Sequence, residues 1–211
     1  MIVTLHGYRH SVYVRVVRLT LEEKGVPYAL REVNPFDPPL PDDYDRMHPF
    51  GRVPVLVHGD LVLYETAAIA AYVDEAFDGR PLQPPSPVRR ARMRQVIGVI
   101  NQYGYWPLVR QVFAHAVFRP FLGQAGDQAE IAAGLAAAPR VLQALEDLAA
   151  DGPFLTGDAL SLADLHLAPM VDGFAAAPDG AALLAAYPRL SAWWQGMAAR
   201  PSMAATHSGW S

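Results

Sequence analysis

Along the first eighty residues the spacing of apolar positions changes period several times. Ile2-Val3-Thr4-Leu5 is a short β-branched run and reads as a strand. Over residues 12–24 the apolar side chains recur every three or four positions, with Val12, Val16, Leu19 and Leu21 inward, until Gly25 and Pro27 stop the pattern. Residues 28–33 read as a second strand. Residues 35–45 form a loop rich in proline and aspartate, with room for one helical turn. Residues 53–57 and 61–64 flank His58-Gly59-Asp60 as a hairpin, and 65–77 is an amphipathic helix closed by Gly79. The order βαβαββα predicts a four-stranded mixed sheet with helices on its faces.

Four prolines fall within Arg80-Pro81-Leu82-Gln83-Pro84-Pro85-Ser86-Pro87, and residues 79–87 are expected to be a stiff connector. Beyond it the period is helical throughout, over 88–121, 128–150, 161–175 and 188–200, with Gly123, Gly152-Pro153 and Pro178 as punctuation. The expected organisation is an α/β domain over 1–78 and an all-helical bundle over 88–211.

Composition narrows the chemistry. Of 211 residues, 52% are hydrophobic and 18% charged, which supports a packed core and excludes disorder. The net charge of −4, with no basic block, predicts no nucleic-acid partner. No apolar run reaches the roughly 18 residues that span a bilayer, so no membrane partner is expected. The opening residues show neither a basic start nor a cleavage site, and a cytoplasmic protein is expected. There are no cysteines, so any thiol chemistry must use a thiol carried in by a ligand. The seven histidines show no metal-ligand spacing, and no metal is expected.

Three segments of the first domain sit where a strand or loop meets a helix or strand. Ser11, at the start of the 12–24 helix, reads either as an N-cap or as a hydroxyl beside the positive end of a helix dipole. At that place a hydroxyl donates to a bound thiolate. A free thiol with pKa near 8.5 is about 3% ionised at pH 7, and lowering it by roughly two units takes about 2.7 kcal/mol. Pro54, within His48-Pro49-Phe50-Gly51-Arg52-Val53-Pro54, reads either as a trans edge proline or as a cis one that frees the Val53 backbone to pair with a peptide ligand. Glu65-Thr66 opens the third helix, with Thr66 as a cap or as part of an anion-binding helix end.

Taken together, Ser11 with Arg15, Leu21-Glu22-Glu23-Lys24-Gly25, Pro49-Phe50-Gly51-Arg52-Val53-Pro54 and Glu65-Thr66-Ala67-Ala68-Ile69 closely resemble the N-terminal domain of glutathione S-transferases. They are most similar to the serine-type, phi-like classes. In the second domain Thr156-Gly157-Asp158-Ala159-Leu160-Ser161-Leu162-Ala163-Asp164 contains a capping box, Ser161 with Asp164, that resembles the same family's buried folding motif. Tyr187-Pro188, Trp193 and Arg200-Pro201-Ser202 are similar to its final helix, so the resemblance spans about residues 2–203.

The resemblance implies a thioredoxin-like first domain, glutathione as co-substrate, a homodimer, and conjugation of the thiol to a small hydrophobic electrophile. Glutathione-dependent peroxidase or isomerase chemistry and a non-catalytic binding module are the alternatives it leaves open. Carried over residue by residue, Ser11 activates the thiol, Val53 with Pro54 holds the cysteinyl backbone, and Glu65 with Thr66 holds the γ-glutamyl end. Tyr8 is the rival activator. Family members carry basic residues after strand two for the glycine carboxylate, whereas here 36–43 is acidic; Arg52, where glutamine is usual, is the compensating cation. Phe50 is the residue expected to insert into a partner protomer. Tyr8, His10, Tyr105, Trp106 and Phe113 are the expected wall of the electrophile pocket.

Overall fold

The computed structural model describes residues 2–210 and consists of two compact units. The first runs to Pro81 and also takes in 201–208; the second begins at Leu82 and ends its main stretch at Arg200.

In the first unit the order is β1 (Val3–Gly7), α1 (Val12–Lys24), β2 (Tyr28–Glu32), α2 (Tyr44–Met47), β3 (Val55–His58), β4 (Leu61–Tyr64) and α3 (Thr66–Ala76). The sheet order is β2-β1-β3-β4, with β1 parallel to β2 and antiparallel to β3, and β3 antiparallel to β4. Neighbouring residues of a strand face opposite sides. Leu56 accordingly joins Val3, Leu5, Val14, Val17, Leu21, Ile69 and Val73 in one core, while Val55 joins Val33 and Tyr44 in the other. Helices α1 and α3 thus cover one face and α2 the other.

Helix α1 is buried far beyond the expected stripe, since Val14, Arg15, Val17, Thr20 and Lys24 are interior as well. The closing helix Pro201–Thr206 explains part of this. Arg15 donates to the Met203 carbonyl at 3.0 Å and to Thr206 Oγ1 at 3.3 Å, and Arg18 donates to the Thr206 carbonyl at 3.0 Å. At its other end Lys24 Nζ meets the Asp74 carboxylate at 3.3 Å and the carbonyls of Asp74 and Arg80, tying α1 to α3.

The second unit contains α4 (Pro87–Val99), a π-helical segment (Ile100–Phe118), α5 (Arg119–Phe121), α6 (Gln128–Leu148), α7 (Leu162–Ala176), α8 (Pro178–Leu184) and α9 (Pro188–Ala198). Residues 87–121 are continuous helix as expected, but the middle is wound more widely, the Arg119 N–H reaching back to the Ala114 carbonyl. Helix α7 is buried on every side from Leu162 to Val171, the mark of a central helix. Its start is fixed by Asp164, whose carboxylate accepts from the Ser161 N–H and hydroxyl (both 2.7 Å), the Leu155 N–H (2.8 Å) and Trp193 Nε1 (2.9 Å). Leu82, inside the proline-rich stretch, is wholly buried and accepts the Leu162 N–H at 2.9 Å. The stretch is therefore anchored at Leu82. Pro178, read as punctuation, instead opens α8 as its first residue.

Candidate functional site

The site builds up from the turn between β1 and α1. A Cβ on Gly7 would lie 2.6 Å from the Val14 side chain, so only glycine lets the strand pass this close to the first turn of the helix. Ser11 is the N-cap, its Oγ accepting the Val14 N–H at 3.4 Å, while its own N–H donates to the Tyr8 carbonyl. Both readings of Ser11 are thus compatible: the cap uses the oxygen as an acceptor, weakly at that length, and leaves the hydroxyl proton free to donate.

Arg9 is pinned to Glu32 through its N–H (3.0 Å) and Nε (3.2 Å). Tyr8 packs edge-on against His10 and Phe36. Burial, and after it the Glu32 charge, pushes the Tyr8 phenol up, so it stays protonated near neutral pH. Burial, with Arg9 adding to it, holds His10 below the usual imidazole value.

The second segment leads into β3. The Val53-Pro54 peptide is cis, and β3 begins only at Val55, so Val53 takes no part in the ladder. The strand is shorter than expected, and Pro54 precedes a central strand rather than lying in an edge one. The Arg52 carbonyl accepts the Tyr44 hydroxyl at 2.8 Å, and its exposed guanidinium makes no ion pair among the described residues. Just beyond the acidic loop, Arg46 of α2 is paired with Asp43 at 3.2 Å.

At the third segment the structure corrects the expected cap. Glu65, at φ 71°, occupies the N-cap position without a side-chain bond, and Thr66 is the first helical residue. The first N–H groups of α3 are left without helical acceptors, and the hydroxyl of Thr66, a largely buried residue, makes no hydrogen bond among the described residues. Ser11, Val53 and Thr66 thereby mark three ends of elements on one small sheet: the starts of α1 and α3, and the approach to β3.

The other expected residues lie in the second unit. Tyr105 is half-buried and Trp106 exposed on the π-helical segment. Phe113 is 3% exposed, its ring against Gly173, Phe118 and Trp210, so it belongs to that unit's interior. An apolar groove of about 470 Å³ on the same unit is lined by Val99, Tyr103, Pro107, Val141 and Ala144, with Arg140.

Two participants escaped the sequence reading. His48 is buried, and its ring stacks on Tyr64 at 4.8 Å; Tyr44 is buried beneath Arg52. A histidine directly before proline in a turn was the available signal for the first. Among the described residues no three acidic or histidine side chains gather as a metal site, and no helix is long and apolar enough to cross a membrane.

Comparison with known proteins finds relatives over nearly the whole chain. The family model described as "Glutathione S-transferase, N-terminal domain" matches residues 5–81, and "Glutathione S-transferase, C-terminal domain" matches 105–201. The chain is 36% identical to glutathione S-transferase 4 of Zea mays over 207 residues, covering 95% of this chain and 89% of that one. It superposes on glutathione S-transferase III in apo form with a TM-score of 0.84 at 30% identity, covering 100% of this chain and 97% of that one. The maize glutathione S-transferase I, solved with an atrazine glutathione conjugate, superposes with a TM-score of 0.82 at 29% identity, covering 98% and 96%.

Proposed function

The chain belongs to the glutathione S-transferase family, and from that premise we propose that it conjugates glutathione to small hydrophobic electrophiles, with Ser11 stabilising the attacking thiolate. The observation that carries this reading is the unused donor at the start of α1: the Ser11 hydroxyl proton, beside a helix N-terminus that itself favours an anion. Val53, clear of the ladder, pairs with the cysteinyl backbone. The open N–H groups of α3 with Thr66 hold the γ-glutamyl carboxylate, and Glu65 its ammonium. Arg52 supplies the charge for the glycine carboxylate.

The bound thiol gives its proton to solvent. Its sulfur then attacks the electrophilic carbon, the carbon–sulfur bond forms, and the leaving group departs with its electron pair. The gain comes from thiol ionisation and from orientation of the two reactants. Tyr105 and Trp106 serve the electrophile. The protein acts as a homodimer in which the exposed Phe50 of one protomer enters the apolar groove of the other.

Ser11→Ala is expected to return the bound thiol toward its free pKa and to slow conjugation at pH 7 by about 25-fold, the ratio of thiolate at pKa values two units apart. Thiolate absorbance against pH checks this; a normal profile in Ser11→Ala with a shifted one in Tyr8→Phe would hand the role to Tyr8. Arg52→Ala is expected to weaken glutathione binding about tenfold by calorimetry, and an unchanged Kd would remove Arg52 from the site. The acidic loop favours one second reading, a non-catalytic binding module, for which no saturable binding at millimolar glutathione would be the sign.

A further inference from the structure

His48 opens the second of the three site segments, yet none of the ligand-holding roles falls on it. Its backbone N–H donates to the Tyr44 carbonyl at 2.9 Å, ending α2, and its carbonyl accepts the Gly51 N–H at 2.9 Å, closing the turn. Its ring nitrogen Nδ1 accepts the Phe50 N–H at 3.4 Å. The same ring lies 4.8 Å from Tyr64, tilted by 35°, and Phe50 closes the cluster edge-on to both. Tyr64 is the last residue of β4 and the neighbour of Glu65-Thr66. One buried side chain therefore touches the turn that leads to Arg52 and Val53 and the strand that delivers Glu65 and Thr66.

We infer that His48 is a positioning residue of the glutathione site, holding the 50–52 turn in register with the start of α3 through its neutral, Nε2-protonated form. The inference rests on the glutathione reading given above. The tautomer follows from the bonding, since an Nδ1 that accepts a backbone N–H cannot carry the ring proton. The charged groups facing the ring are Glu65 and Arg52, with Tyr64 stacked on it and Tyr44 holding the Arg52 carbonyl. Burial is the chief cause that keeps the ring below the ordinary imidazole value; Arg52 adds to this, and Glu65 and a backbone hydrogen bond at His48 oppose it. Acid adds a proton to Nδ1, and the Phe50 N–H then loses its acceptor.

Two variants separate the parts. His48→Phe keeps an aromatic ring against Tyr64 and removes the acceptor; His48→Asn keeps an acceptor near the Nδ1 position and cannot titrate. Amide exchange of Phe50 in the free protein is expected to quicken in His48→Phe and to stay slow in His48→Asn. The glutathione Kd of His48→Phe should rise about three- to tenfold, carried in KM, with kcat at saturating glutathione little changed. Between about pH 7 and pH 5 S-methylglutathione, which has no thiol for the site to ionise, does not itself titrate and is the ligand for this comparison. Over that range wild-type affinity should weaken and His48→Asn affinity should stay level. Wild-type exchange and affinity in His48→Phe, or the wild-type pH profile in His48→Asn, would overturn the inference. Absence of glutathione binding by the wild type would instead defeat the functional reading, and Phe50 exchange would still decide the role of His48.

Discussion

At residue scale, one histidine in the second unit sets a clear expectation for acid stability. His166 is buried on α7, with Nδ1 2.7 Å from the Leu162 carbonyl and Nε2 without a partner among the described residues. Burial pushes it down to about 4, against some help from that carbonyl. In the unfolded chain the ring protonates near 6.5, so below that pH the unfolded state binds the extra proton first. Stability should therefore fall as pH drops from about 6.5 to 4, by about 3 kcal/mol from this group alone. Urea unfolding at several pH values should show this slope in the wild type and a smaller one in His166→Gln; equal slopes would refute the assignment. Sequence alone displayed the residue types of the site but not their states. Ser11 was visible as a cap, yet that its proton stays unused depends on which partners the fold brings near. The Glu65 backbone turn and the burial of His48 likewise needed long-range packing.

Among the elements, α1 shows why periodicity was a good guide to type and a poor one to burial. Its length was legible because Gly25 sits at φ 66° and stops the helix, donating its N–H to Glu22. The burial of Arg15 and Lys24 was not, since their covering comes from Met203, Thr206 and Asp74, remote in sequence. The Lys24–Asp74 pair is almost wholly enclosed. Asp74→Ala should strand a buried ammonium and cost about 3–5 kcal/mol, whereas Lys24→Met with Asp74→Leu should cost far less. Chemical denaturation of the single and double variants decides it; equal losses would mean the pair is not acting as an ion pair. The π-helical segment escaped prediction for a different reason. A shift in hydrogen-bond partner by one residue leaves the apolar pattern nearly unchanged, and Pro107, lacking an N–H, is tolerated within it.

For the whole molecule, assembly is the property to test. Phe50 is 69% exposed, which leaves most of its ring free to bury against a partner. On the homodimer proposed above, Phe50→Ala should move the sedimentation equilibrium from dimer toward monomer, weakening association by at least about tenfold. An unaltered dimer would show that contact to be dispensable. The division into an α/β and a helical unit was readable from the change of period near residue 80. The return of 201–208 to the first unit was not, because Pro201–Thr206 reads locally as one more helix of the second.

That return makes the first unit a patchwork of two distant stretches of chain. A single cut at the Pro81–Leu82 junction would leave both products still joined, since the helical stretch ends in residues that belong to the other unit. Conversely, a gene fragment encoding only the first 81 residues would leave the Arg15 of α1 without its Met203 and Thr206 acceptors. The two units are therefore poor candidates for exchange as independent modules, and a functional chimera would have to carry over the tail together with the sheet it completes.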